Sequence, residues 1–162
     1  VSPELDPERL GDHLDRLFRA AWALTGNREE AEDLVQETYV RVLARPRFLR
    51  NDDDLGYLMR VLRNTFLTIR RDRGRRIAAV AMPEDQDLIE DPRAIRPDAV
   101  LEAREVYQAV AGLPDDYRDA LVAVDVAGLS YKEAAKALGT KEGTIMSRLY
   151  RARQRVARAV EA

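Results

Sequence analysis

Apolar residues spaced three and four apart recur from one end of this 162-residue chain to the other, and a period-two alternation is nowhere sustained over the length of a strand. Such spacing puts a continuous apolar stripe on a helix and none on a strand, so the expected fold class is all-α. A first helix is expected over about 7–25, with Leu10, Leu14, Leu17, Phe18 and Ala21 on its stripe and Gly26 ending it. Asn27 and Glu30 have the spacing of a capping box, and Ala31, Leu34, Val35, Thr38 and Val42 form the buried side of a second helix reaching toward Pro46. A polar loop over 45–54 carries Phe48 and Leu49. A third helix follows with Leu55, Leu58, Met59, Leu62, Phe66 and Ile69 on one side, and Gly74 is expected to break it.

Charge is distributed unevenly along this pattern. The net value is only -2, so the chain is no uniformly basic binder, and any nucleic-acid role must rest on local patches. Between Arg60 and Arg76 stand seven arginines against the single acid Asp72, whereas Met82 to Glu105 holds eight acids, three arginines and prolines at 83, 92 and 97. The second stretch has the composition of a linker, and it divides the chain into two small helical domains, 1–81 and 98–162, joined over 82–97. Helices are expected in the second half over about 98–112, 114–127, 130–138 and 141–160.

The second half carries the more specific motif. Ser130 and Glu133 form a capping box opening a short helix, Ala134, Ala135 and Leu138 face inward, and Gly139 turns the chain into a longer helix capped by Thr140. This is helix-turn-helix spacing, in which small residues at the crossing let the second helix lie close over the first. On that second helix Ile145, Leu149, Ala152 and Val156 fall together, and Ser147, Tyr150, Arg151, Gln154 and Arg158 fall opposite. Arginine can bond guanine bidentately in the major groove, and hydroxyls and amides can reach base edges or phosphates. From Lys141 to Arg158 there are six basic residues and one acid; charge alone would suit a solvated basic helix, and charge together with the turn geometry makes that the weaker reading.

The first half has two faces of its own. With the second helix buried along its stripe, Asp33, Gln36, Glu37 and Val40 point outward, a mixed surface suited to a protein partner. The third helix turns Arg60, Asn64, Leu67 and Arg71 outward near Phe48 and Asn51, and arginines, an amide and an aromatic ring are the parts of a single-strand DNA site. Trp22, Tyr39 and Tyr57 read as packing residues.

Several chemistries have no residues to carry them. There is no cysteine, so disulfides, thiolate nucleophiles and cysteine zinc sites are excluded, and His13, the sole histidine, sits on an acidic turn as a surface residue. No catalytic residue, metal site or cofactor is therefore expected. No apolar run reaches the roughly 18 residues of a membrane span, and the acidic start resembles no signal peptide, so the expected location is the cytoplasm without stable membrane insertion.

Three separated blocks together resemble the extracytoplasmic-function sigma factors of the sigma-70 family. Leu24-Thr25-Gly26-Asn27 through Asp33-Leu34-Val35-Gln36-Glu37-Thr38 resembles their core-binding segment, and Leu58-Met59-Arg60-Val61-Leu62-Arg63-Asn64 their −10-reading helix. Leu113-Pro114 with Gly143-Thr144-Ile145-Met146-Ser147-Arg148-Leu149-Tyr150-Arg151-Ala152-Arg153 is similar to their −35-reading motif. The departures are Tyr57, where the family commonly has Trp, and Met146, where a basic residue is common.

The resemblance implies that 1–81 is a region 2 bundle and 98–162 a region 4 helix-turn-helix, acting together as an alternative sigma factor. It implies binding of the polymerase core through Asp33, Leu34, Gln36, Glu37 and Val40. Melted −10 DNA would be held by Phe48, Asn51, Arg60, Arg63, Asn64, Leu67 and Arg71. The −35 duplex would be read by Lys141, Thr144, Ser147, Arg148, Tyr150, Arg151 and Gln154. The partners implied are bacterial RNA polymerase core, promoter DNA and an anti-sigma factor. From the residues alone, a helix-turn-helix regulator acting without polymerase and a helical adaptor remain alternatives, although only the sigma reading gives both halves a task.

Overall fold

The computed structural model describes residues 11–44, 54–79 and 98–161, and among these no strand occurs. A 3-10 turn, Gly11–His13, leads into α1 (Leu14–Thr25), α2 (Arg28–Ala44) and α3 (Asp54–Ala79). The second half supplies α4 (Asp98–Ala111), α5 (Asp115–Leu121), a π-helical turn (Val122–Val126), α6 (Tyr131–Leu138) and α7 (Glu142–Glu161).

Local chemistry accounts for most of the boundaries. Gly26 closes α1 at φ +71°, a conformation only glycine takes without strain, and its amide donates to the Trp22 carbonyl at 2.7 Å. Asn27 caps α2, Oδ1 accepting from the amides of Glu29 at 2.9 Å and Glu30 at 3.2 Å, but the expected capping box closes in this direction only, because the Asn27 amide donates to Thr25 Oγ1 at 3.3 Å and Glu30 pairs with Arg73. Gly74 does not break α3, which runs on to Ala79. A glycine within a helix costs about 1 kcal/mol relative to alanine, which the good helix formers around it can carry.

The expected helix over 114–127 is two conformations in series. After about two turns of α5 the bonding widens, so that the Ala127 amide reaches the Val122 carbonyl at 2.8 Å and that of Leu129 reaches Ala123 at 3.0 Å. The π-turn leaves Val122, Ala123 and Ala127 all buried and delivers Leu129 into the core just ahead of the Ser130 cap.

One apolar core runs through both halves. Leu17, Leu24, Leu34, Leu58 and Leu62 share it with Val110, Leu121, Val122, Ile145 and Leu149, and α1 lies at its centre, packed on α2 on one side and on α4 and the π-turn on the other. This explains a correction to the α1 stripe. Leu14 is 46% exposed, and Ala20, Ala21 and Ala23, all fully buried, carry the packing. Trp22 is a packing residue as expected, its ring 4.9 Å from Tyr107 of α4 and 6.0 Å from Phe18. Two buried threonines, Thr38 and Thr65, satisfy their hydroxyls by donating 2.7 Å bonds to the carbonyls of Leu34 and Val61, one turn back in the same helix. Leu10, the loop over 45–53 and the expected linker over 82–97 lie outside the described residues.

Candidate nucleic-acid interface

The α6–α7 pair has the geometry the sequence implies. Ser130 Oγ accepts from the Glu133 amide and Glu133 Oε1 accepts from the Ser130 amide, both at 3.1 Å, so the capping box is closed in both directions. Gly139, at φ +67°, ends α6, with the Thr140 amide donating to Ala135 at 2.9 Å. The first bond of α7 runs from the Ile145 amide to the Lys141 carbonyl at 3.1 Å, so that helix starts one residue beyond the expected Thr140 cap. Ala134, Ala135 and Ala137 are buried under it, and Ile145, Leu149 and Ala152 anchor it to the core.

That anchoring turns the other side of α7 outward. Lys141, Ser147, Tyr150, Arg151 and Gln154 are exposed, Tyr150 at 64%, and Thr144 is half-buried at the near end. Several of these side chains are already oriented by neighbours. Gln154 Nε2 donates to Tyr150 Oη at 3.0 Å, Ser147 Oγ to the Thr144 carbonyl at 3.1 Å, and Arg151 to Tyr117 Oη at 3.4 Å. The Arg151 bond holds the Tyr117 phenol below its ordinary value and raises the guanidinium in turn. Arg148 is half-buried and pairs with Asp116 at 3.6 Å. Arg153 is committed to the scaffold by two bonds to Asp125, at 2.9 and 2.7 Å.

Sequence reasoning missed Asp116 and Tyr117, which steer Arg148 and Arg151. Their signal was available: an acidic-aromatic run directly after Leu113-Pro114, facing a helix rich in arginine.

The α3 candidates divide between two faces. Asn64 and Arg71 are exposed and Leu67 half-buried on the side opposite Leu58, Leu62 and Ile69. Arg63 lies around the helix with Phe66 and Arg70, and this flank rests on α5. Arg60, exposed with Asn64, reaches back to donate a 2.8 Å bond to the Lys136 carbonyl in the last turn of α6, where a cation complements the helix dipole. Phe48 and Asn51 fall outside the described residues.

Between α3 and α5 runs a chain of alternating charges. Arg63 Nε donates to Asp119 Oδ2 at 2.8 Å, Asp119 lies 3.6 Å from Arg118, Arg118 lies 3.1 Å from Asp115, and Arg70 donates to Asp115 at 2.9 Å. Arg118 is 2% exposed, with its guanidinium 5.0 Å above the Phe66 ring, and Asp119 is 5% exposed. Arg70's hydrogen bond, with the further charge of Arg118, holds the Asp115 carboxyl below its ordinary value of 3.8. Asp119 Oδ1 and two Arg118 nitrogens are buried without a hydrogen bond.

On α2, Asp33, Gln36 and Val40 are exposed, Val40 at 61%, and Glu37 is half-buried and bonded to Arg41 at 3.2 Å. Leu34 departs from that set. At 2% exposed it is a core residue, because the helical period that turns Asp33 and Glu37 outward turns Leu34 inward with Thr38. Glu30, at the start of the same helix, accepts a 2.6 Å bond from Arg73 of α3.

Among the described residues no group of His, Asp and Glu is placed to hold a metal ion, and no helix is long and apolar enough to cross a membrane.

Comparison with known proteins gives these geometries a common frame. The family model for Sigma-70 region 2 matches residues 10–76 and that for Sigma-70 region 4 matches 103–156. The chain is 41% identical to the ECF RNA polymerase sigma factor SigE of Mycolicibacterium smegmatis over 92% of its own length and 59% of that protein's. It is 37% identical to EcfG of Rhodopseudomonas palustris, covering 84% of this chain and 74% of the relative. For SigM of Bacillus subtilis identity is 30%, with 89% and 88% covered. In fold it is similar to the sigma factor RpoE of Bartonella quintana, solved in complex with the anti-sigma factor NepR: TM-score 0.72, 28% identity, 96% of each chain covered. CnrH, solved with the cytosolic domain of CnrY, shares the fold at TM-score 0.64 and 22% identity, covering 95% of this chain and 86% of that one. Two matched regions in the family's order, with relatives alike over most of the chain, show that it belongs to the extracytoplasmic-function group of the sigma-70 family.

Proposed function

We propose that this protein joins bacterial RNA polymerase core in the cytoplasm as an alternative sigma factor. It would direct initiation at promoters whose −35 duplex it reads and whose melted −10 strand it traps. The observation that carries the reading is the α7 surface: Ser147, Tyr150, Arg151 and Gln154 are exposed together on a helix held by a closed capping box and a glycine turn. With Lys141, Thr144 and Arg148 at its flank, this helix enters the major groove. The domain in 98–162 reads duplex, the domain in 1–81 holds the polymerase and the single strand, and 82–97 joins them.

Asp33, Gln36, Glu37 and Val40 form the polymerase-facing surface, and Leu34 supports it from below. Arg60, Arg63, Asn64, Leu67 and Arg71, with Phe48 and Asn51 from the preceding loop, engage the −10 strand. Trapping an unpaired base shifts the opening equilibrium by the difference in its binding energy between open and closed DNA, so this chain needs no bond-breaking chemistry of its own. It follows that the protein is a specificity factor and not an enzyme, with nucleotidyl transfer left to the polymerase. An anti-sigma protein is the regulatory partner this reading implies, in line with the complex in which the 28%-identical RpoE was solved.

The test is run-off transcription with purified core polymerase on a promoter library. Core-dependent initiation from promoters sharing two dissimilar elements is expected. Duplex binding without any core association would instead indicate a regulator acting alone.

A further inference from the structure

We propose that Tyr117, at the start of α5, is a positioning residue for −35 recognition, whose hydroxyl holds Arg151 of α7 in the orientation that reads a base. The inference rests on the reading of α7 as the −35-recognition helix. Arg148, Arg151 and Arg155 are spaced three and four apart, so they form one stripe of α7, and each meets a residue in the first turn of α5. Arg148 pairs with Asp116 at 3.6 Å, Arg151 donates from Nη1 to Tyr117 Oη at 3.4 Å, and the Arg155 guanidinium lies over the Tyr117 ring, 5.0 Å from its centroid. One tyrosine thus meets two arginines, one with its hydroxyl and one with its face.

The two side chains differ in how firmly they are placed. The Tyr117 ring packs half-buried against the apolar core, next to the fully enclosed Arg118, Asp119 and Ala120, and Arg155 covers its face. Arg151 is exposed and long, so by itself it samples many rotamers and must lose that freedom when it binds a base. The bond to Tyr117 removes part of the freedom before DNA arrives. It also takes only Nη1, and the Nε–Nη2 edge of the same planar fork still offers the parallel pair of donors that guanine O6 and N7 accept. The acceptor is a neutral phenol. Arg153, by contrast, is bonded to the carboxylate of Asp125, which cancels its charge and commits it to the scaffold. A phenol orients the cation and leaves its charge whole for the DNA.

The test uses the full chain assembled with core polymerase, on a promoter taken from the run-off library and varied one base pair at a time through its −35 element. Run-off yield at subsaturating holoenzyme gives a preference at each pair. Arg151→Ala should erase the preference at the base pair it reads. Tyr117→Phe keeps the ring and its contact with Arg155 and removes the hydroxyl alone. It should lower the preference at that same pair by about two- to threefold, the low end for a hydrogen bond because the site is exposed, and leave the other pairs as they were. Thermal unfolding of Tyr117→Phe should match that of the unsubstituted protein. With Arg151→Ala already present, Tyr117→Phe should change nothing further, since the hydroxyl acts through that arginine.

A Tyr117→Phe profile identical to that of the unsubstituted protein would overturn the proposal. So would a loss spread evenly over all pairs, the mark of a merely structural role, or a loss that persists once Arg151 is gone. Failure of the underlying −35 assignment shows differently: Arg151→Ala, Ser147→Ala and Gln154→Ala would then all leave every −35 preference in place while core-dependent initiation continued, and the role of Tyr117 would fall with it.

Discussion

Gly26 does two things that no other residue can do at once. Its φ of +71° favours glycine, and a Cβ placed there would stand 3.0 Å from the Ala111 Cβ, where the end of α1 meets the end of α4. Gly26→Ala is therefore expected to lower stability by about 1–2 kcal/mol from backbone strain, with more from the contact. Thermal unfolding should show it as a fall of several degrees, since each kcal/mol is about 2–4 °C in a chain of this size. Arg151 is a residue of the opposite kind, exposed and outside the core. Arg151→Ala should leave unfolding unchanged and weaken −35 duplex binding by roughly 1–3 kcal/mol if the side chain bonds a base bidentately. A titration at fixed salt against matched and substituted −35 duplexes checks this. Loss spread evenly over all sequences would mark Arg151 as a phosphate contact.

At the scale of elements, the helix ends were legible wherever one residue type carries the boundary. Gly26, Asn27, Ser130, Glu133 and Gly139 all act as their chemistry implies. Two kinds of element detail were not legible. Ala20 and Ala23 of α1 are fully buried, but alanine is found on buried and exposed faces alike, so the wider stripe left no mark on the apolar pattern. The π-turn at Val122–Val126 is also silent, because its extra residue is set by how Leu129 is delivered to the core and not by local preference.

The capping box gives this scale its test. Ser130→Ala removes the hydroxyl that accepts from the Glu133 amide, leaving the backbone bond to Glu133 Oε1 alone at the start of α6, and should cost about 1 kcal/mol. Amide exchange of Glu133 should rise more than that of the α2 core, since α6 is only eight residues long. The outer face of α2 is tested by Asp33→Arg, an exposed reversal expected to impair association with polymerase core, measured by co-sedimentation, while −35 duplex binding stays intact.

For the whole molecule, the two-part plan was readable from composition, because the acid- and proline-rich stretch over 82–97 separates two helical patterns. The joining of those parts into one core was not. The contact of α3 with α5 depends on single ion pairs between residues 45 and 56 positions apart, and no local periodicity encodes a pairing at that range. The same contact makes stability depend on acid in a defined direction. Arg70's bond depresses the Asp115 carboxyl below 3.8, with Arg118 adding its charge, and Arg63 and Asp119 are the other charged groups at this seam. A depressed carboxyl binds fewer protons folded than unfolded, so its contribution is fully present above the ordinary value and is lost as pH falls through the depressed one. Asp115→Asn should then lower stability by a constant amount from neutrality to about pH 5, and the gap should close further into acid. Because both side chains are more than half exposed, the gap is expected to be small and to shrink with added salt. Denaturant unfolding of the two proteins side by side, over pH and at two ionic strengths, measures it. A gap that stayed constant into acid would mean that Asp115 acts through shape, with its charge contributing nothing to holding the halves together.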